Sequence, residues 1–214
     1  MNKDDIGTIE EERIRQLYAY ERECTENGYS LVAGTDEAGR GPIAGPVVAA
    51  AVILKPETFI EGLNDSKKIS EKKRERIYAE IIEKCIAYAI TAISSETIDE
   101  INILQSACLA MQQSVEQLQP QADFVLVDGL HNKRIVLPQL ALTKGDSKSA
   151  SIAAASVLAK VYRDRLMYEY DRQHPEYGFA SHKGYPTKKH IEAVKQHGIL
   201  KIHRKTFTPI SNMI

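Results

Sequence analysis

Short apolar runs alternate along this 214-residue chain with longer stretches in which apolar positions recur every three or four residues. The short runs, 31–36, 46–54, 85–93, 124–127 and 140–143, are rich in Val, Ile, Leu and Ala and predict buried strands. The periodic stretches predict helices over 8–24, 70–84, 96–118, 147–173 and 187–196. Thr8 and Glu11 form a capping box for the first, Ser70 is placed to cap the second, and Pro120 stops the third. In the fourth, Ile152, Ala155, Ala159, Tyr162, Leu166 and Tyr170 are expected to face the core, with Lys148, Lys160 and Arg163 elsewhere on the circumference. Strands mixed with helices in this order predict an α/β fold. Residues 1–30 are expected as a helical extension and 31–214 as one domain ending in a helical segment, since neither a repeat nor a low-complexity linker divides the chain.

Charge changes the picture more than composition does. The formal net charge is −1. Yet residues 1–128 hold 13 Lys and Arg against 23 Asp and Glu, a balance of −10, while 129–214 hold 15 against 6, a balance of +9, and all six histidines. That asymmetry points to a basic half meeting a polyanion and an acidic half supplying carboxylates for metal. Two solvated faces of opposite sign are the plainer explanation. Three cysteines, Cys24, Cys85 and Cys108, make no CxxC pair and leave an odd thiol, which fits a reducing compartment. The apolar runs are far shorter than a membrane span and the first residues are acidic and polar, so a soluble cytoplasmic protein is expected.

The chemistry gathers at strand ends. Asp36-Glu37-Ala38-Gly39-Arg40-Gly41 places two acids, a guanidinium and two glycines after the first run. Adjacent carboxylates of this kind suit Mg²⁺ or Mn²⁺, and an arginine between glycines can fork onto phosphate. Asp128-Gly129 ends the fourth run in the same way, and ligands of α/β sheets collect beyond the carboxyl ends of strands. Parallel neighbouring strands would therefore bring Asp36 and Asp128 together. Glu37 joins them only if the chain leaves strand geometry there, because successive side chains point to opposite faces. Asp146 stands before the long helix, either as its N-cap or as a fourth carboxylate. Such a cluster demands cations, and two divalent ions would suit in-line phosphoryl displacement.

Together with Asn64-Asp65-Ser66-Lys67, Lys144-Gly145-Asp146, the run 152–164, His182-Lys183-Gly184-Tyr185 and the closing stretch HRKTFTP, these motifs resemble, in order, those of ribonuclease HII over roughly residues 31–208. The resemblance implies a ribonuclease H-like fold with a central mixed sheet flanked by helices. It also implies cleavage of RNA in RNA/DNA hybrids and at ribonucleotides in duplex DNA, with 5′-phosphate and 3′-hydroxyl products. Four metal-binding acids carry over onto Asp36, Glu37, Asp128 and Asp146. The element that senses the 2′-hydroxyl carries over onto Gly39, Arg40 and Gly41, the sugar-stacking tyrosine onto Tyr185, and a phosphate-contacting lysine onto Lys67. A monomer needing Mg²⁺ or Mn²⁺ is expected. The alternatives are a ribonuclease HIII-like nuclease, whose usual extra N-terminal domain has little room in about 30 residues, and a nucleic-acid-binding module without catalysis. A nucleotide-binding site is disfavoured because GRGPIAG lacks the P-loop lysine.

Plainer roles attach to other residues. Arg40 could form a surface ion pair, Asp65 a turn, and Asp164 a helix pair with Lys160. His182 and His203 are expected as polar loop or core residues. Lys201, Arg204 and Lys205 are expected to touch a nucleic-acid backbone or form a solvated face.

Overall fold

All five apolar runs form strands in the computed structural model, which describes the backbone of residues 3–214 and the side chains from residue 7 onward. They are β1 (Val32–Ala38), β2 (Val47–Leu54), β3 (Cys85–Ile93), β4 (Phe124–Asp128) and β5 (Gln139–Leu142). Their order in the sheet is β3-β2-β1-β4-β5. β1 is antiparallel to β2 but parallel to β4, which is parallel to β5, so the sheet is mixed as expected. Thr35 lies opposite Val127, which puts Asp36 and Asp128 one step further along at the same edge.

Every residue of β2 is buried, because helices cover both faces of the sheet. Val48, Ala50 and Val52 pack with α6 (Ala150–Gln173), whereas Val47, Ala49, Ala51 and Ile53 pack with α5 (Ile103–Glu116). Small residues let α6 lie tight on the sheet: a Cβ on Gly34 would stand 2.2 Å from the Ile152 main-chain nitrogen. The expected core stripe of α6 is only partly observed. Tyr162 is 37% exposed and Arg163 only 1%. This helix is enclosed by the sheet, α3 (Glu71–Lys84) and the C-terminal segment, so one narrow stripe does not describe it.

Two expected helices are broken. The first divides at Tyr18 into α1 (Lys3–Leu17) and α2 (Ala19–Glu26), and Thr8 and Glu11 lie inside α1 instead of opening it. Tyr18 buries its ring and donates its hydroxyl to the Thr58 carbonyl at 2.9 Å, an anchor that re-aims the chain. The third divides at Asn102, whose φ is +66°, into α4 (Ser95–Ile101) and α5. Asn102 compensates by accepting the Gln105 N–H at 3.0 Å as the cap of α5. Ser70 precedes α3 but makes no side-chain cap bond. The long helix starts at Ala150, capped by Ser149, and Gly145–Ser147 forms a separate 3₁₀ turn.

The extension packs onto the sheet layers. Ile14, Leu17 and Tyr18 join the α6-side core. The buried Glu21 carboxylate accepts the Ser149 hydroxyl at 2.6 Å and the Ser151 N–H at 2.9 Å, at the start of α6. At the other end, α7 (Phe179–His182) and α8 (Lys188–His197) enclose a smaller core around Tyr177 and Phe179. Among the described residues no helix is long and apolar enough to cross a membrane.

Candidate active site

Three elements deliver three aspartates to one edge of the sheet. Asp36 comes from β1, Asp128 from the end of parallel β4, and Asp146 from the 3₁₀ turn before α6. A carboxylate oxygen of each lies within 4.8 Å of those of the other two, close enough for a shared metal ion. The Gly145 N–H donates to Asp128 Oδ1 at 2.6 Å, fixing the turn to the strand end. Glycine leaves room for the approach, since an added Cβ would stand 2.6 Å from Ile152 Cδ1 and require that side chain to shift. Asp146 does not cap α6, which uses Ser149.

Glu37 arrives differently from the expectation. β1 continues to Ala38, and Glu37 stays paired with Ala49, so the chain does not leave the strand at Glu37. Asp36, opposite Ala50, faces the α6 side, and Glu37, opposite Ala49, faces the α5 side. Glu37 is bound by Arg40 Nη1 at 3.2 Å and lies outside the three-aspartate cluster. The sheet ends here, so both faces remain close to the same edge. The acids consequently stand between two hollows. One, of about 250 Å³, is lined by Glu37, Gly39, Arg40, Gly41, Lys67 and Tyr185. The other, of about 430 Å³, is lined by Glu37, Cys108, Asp128, His131, Asn132 and Arg134.

Burial and mutual repulsion govern the ionisation of this edge. Burial pushes the Asp36 carboxyl well above the usual range, and the charges of Glu37 and Asp128 push it further. Burial also raises Glu37, with Arg40 opposing. Asp146 is raised by burial and then by Asp65 and Asp128, with Lys67 opposing. Burial alone would lower the Lys67 ammonium, but Asp36, Asp65, Asp146 and Asp128 outweigh it and raise its pKa. Its nitrogen lies 3.9 Å from Asp146 Oδ2 although most of the side chain is exposed. Carboxylates that lack sufficient positive charge fit divalent cations, so Asp36, Asp128 and Asp146, with Glu37 beside them, are suited to hold them.

The remaining expected residues surround this edge. Tyr185 is 48% exposed and lies against Gly41, where an added Cβ would stand 3.2 Å from Tyr185 Cε1. Asp65 is a turn residue, accepting the Lys67 N–H at 2.9 Å. Asp164 takes the Lys160 ammonium at 2.6 Å and also faces Arg74 at 3.7 Å. His182 and His203 are core residues, packed with His190. Arg204 departs entirely from the expected surface role. It is 0% exposed, and its guanidinium donates to the carbonyls of Gly39, Arg40 and Gly45. Lys201 does remain at the surface, paired with Glu96 at 3.2 Å.

The periodicity also passed over Ser66 and Ser156. Their hydroxyls meet at 2.8 Å, and the Ser156 hydroxyl is placed to oppose the rise in the Asp36 pKa. Ser156 sits in an alanine-rich run where a small polar residue is easily taken for packing.

The family model for ribonuclease HII matches residues 33–210. A ribonuclease HII from Ruminiclostridium cellulolyticum is 52% identical over 198 residues, covering 92% of this chain and 78% of that protein. Among solved structures, the ribonuclease H2 of Pyrococcus horikoshii OT3 superposes with a TM-score of 0.73 at 27% identity, covering 86% of this chain and 97% of that one. Bst-RNase HIII in complex with Mn²⁺ superposes at 0.65 and 18% identity, over 85% of this chain and 68% of that one, a likeness of fold. The match to the type II model, and half-identity to a type II enzyme across nearly the whole chain, go against the type III alternative. Sheet topology, the aspartates at its edge and these two matches agree, and the chain belongs to the ribonuclease HII family of hydrolytic nucleases.

Proposed function

We propose that this protein hydrolyses the RNA strand of RNA/DNA hybrids and also cuts duplex DNA at embedded ribonucleotides. It does so with two divalent ions, Mg²⁺ or Mn²⁺, held by Asp36, Glu37, Asp128 and Asp146, and leaves 5′-phosphate and 3′-hydroxyl ends. The observation that carries this reading is the convergence of Asp36, Asp128 and Asp146 within 4.8 Å at an edge where burial already disfavours the charge of Asp36 and Asp146. When bound, such ions supply an activated water and stabilise the leaving oxygen.

The chain's own residues supply the rest. Lys67 and Arg40 offer cations to the phosphates on either side of the cut. Gly39, Arg40 and Gly41 form the turn that meets a 2′-hydroxyl, the group that distinguishes RNA from DNA. Tyr185, exposed beside Gly41, supplies a ring for the neighbouring sugar. The Gly145 N–H holds Asp128 in place while the Ser66–Ser156 pair supports Asp36.

The test is cleavage of a DNA duplex with one ribonucleotide and of the same duplex with four, in Mg²⁺ and in Mn²⁺. Both substrates are expected to be cut, with the product ends named above. Cutting of the four-ribonucleotide duplex alone would contradict the reading of the turn and Tyr185.

A further inference from the structure

Two arginines are buried beside the candidate site without a carboxylate partner. Arg163, on α6, donates to the carbonyls of Pro46 at 3.0 Å, Ala44 at 3.1 Å and Lys183 at 3.0 Å. Arg204 donates to Gly45 at 2.9 and 3.1 Å, Arg40 at 2.9 Å and Gly39 at 2.6 Å. Among the described residues neither takes part in an ion pair. Burying an unpaired guanidinium is costly, and mere filling of space would be served better by Leu or Met. What a guanidinium adds is a rigid fork of donors that can aim several carbonyls at once.

The aim has a consequence on the opposite side of each peptide. In a planar trans peptide the carbonyl of one residue and the N–H of the next point in opposite directions. With the Gly39 and Arg40 carbonyls drawn inward to Arg204, the N–H groups of Arg40 and Gly41 are turned outward. Gly39, Arg40, Gly41 and Tyr185 line one hollow together. Among the described residues neither N–H meets a main-chain carbonyl.

Arg163 links this turn to the loop bearing Tyr185. It binds Ala44 and Pro46 on one loop and Lys183 on the other, while the Ile43 N–H donates to the Gly184 carbonyl at 2.9 Å. The glycines make the approach feasible: a Cβ on Gly39 would stand 2.0 Å from Arg163 Nε, and one on Gly184 2.5 Å from the Ala44 carbonyl oxygen.

We infer that Arg163 and Arg204 are positioning residues. Arg204 holds the Arg40 and Gly41 N–H groups facing the hollow, and Arg163 sets the spacing between that turn and Tyr185. As a device for selecting ribose, this rests on the proposed reading of the turn as the 2′-hydroxyl sensor.

Backbone ¹⁵N relaxation and amide exchange of the full chain test the positioning without substrate. In the unsubstituted protein, Gly39, Arg40 and Gly41 are expected to be as ordered as the sheet, with order parameters of about 0.85, while the Arg40 and Gly41 amides exchange freely with solvent. Slow exchange there, or disorder of the turn, overturns the inference even if no variant folds. In Arg204→Lys and Arg163→Lys the turn is expected to loosen, to order parameters below about 0.6, with the sheet unchanged. An unaltered turn overturns the inference.

Kinetics on duplexes carrying one ribonucleotide or its 2′-fluoro analogue test the selectivity. The penalty for losing the hydroxyl is expected to be at least about tenfold in kcat/KM and to shrink to about threefold or less in Arg204→Lys. A merely structural role would lower both rates alike, and an unchanged ratio overturns the selective part. If the unsubstituted enzyme shows no penalty while the turn loosens in the variants, the positioning stands and the 2′-hydroxyl reading falls.

Discussion

Asp36 is a carboxylate placed where it is expensive to ionise, buried and beside Glu37 and Asp128. A residue selected for folding alone would not be acidic there, and removing its charge should make that visible. Asp36→Asn is expected to raise the melting temperature in chelator by about 2–4 °C, equivalent to ~1 kcal/mol for a chain of this size, while abolishing cleavage. The sign with pH follows from the upward shifts of Asp36, Glu37 and Asp146. The folded protein holds these protons more tightly than the unfolded chain, so metal-free stability falls as pH rises from the ordinary carboxylate range through the raised values. Asp36→Asn should flatten that fall. A melting temperature that drops on substitution, or a fall that is equally steep, would contradict this account of the edge. Asp36, Asp128 and Asp146 were legible in the sequence because each closes an apolar run or shortly precedes the long helix, with a glycine within two residues. Arg204 was not, because its burial depends on carbonyls from Gly39 to Gly45, far away in the chain.

Among elements, the strands and the long helix followed from the hydrophobic pattern, whereas the breaks at Tyr18 and Asn102 did not. Apolar periodicity runs through both positions, and what divides the helices is a tertiary anchor in one case and a positive φ with a side-chain cap in the other. The same limit applied at the start of α6, where Asp146 competed with Ser149 for the cap. Ser149 prevails and in addition serves Glu21, so the N-terminal extension is fastened to the helix that follows Asp146. Ser149→Ala is therefore expected to destabilise the protein by roughly 1–3 kcal/mol, more than an ordinary exposed cap, because a buried carboxylate loses a donor. Urea denaturation measures this. A loss within about 0.5 kcal/mol would show that the Glu21 contact contributes nothing.

At the scale of the whole molecule, the acidic and basic halves anticipated from charge meet at the candidate site. Asp36, Glu37 and Asp128 come from the first half, and Asp146, Tyr185 and Arg204 from the second. Within the second half, a histidine chain fastens the Tyr185 loop to the C-terminal segment. The Leu200 N–H donates to His203 Nδ1 at 2.9 Å, which places the His203 proton on Nε2. That proton is shared with His190 Nε2 at 3.1 Å, and His190 Nδ1 donates to the Tyr185 carbonyl at 2.9 Å. Burial lowers both imidazoles to about 4. The unfolded chain binds those protons first, so this contribution to stability is complete above the ordinary histidine pKa and is lost as pH falls toward about 4. Imidazole NMR titration is expected to find both rings neutral at pH ~5.5, well below the ordinary value, and ordinary titration near 6.5 would contradict the packing.

We propose that Asp36, Asp128 and Asp146, with Glu37, form one metal-dependent hydrolytic centre. Its most direct test is cleavage of a DNA duplex containing a single ribonucleotide by the unsubstituted protein and by Asp128→Asn, with Mg²⁺, with Mn²⁺ and with chelator, alongside substrate binding by both proteins. The expected result is cutting at the ribonucleotide only when a divalent ion is present, lost by a factor of about 10³ or more in Asp128→Asn while binding persists. Full cleavage by Asp128→Asn, or cutting in chelator, would contradict it.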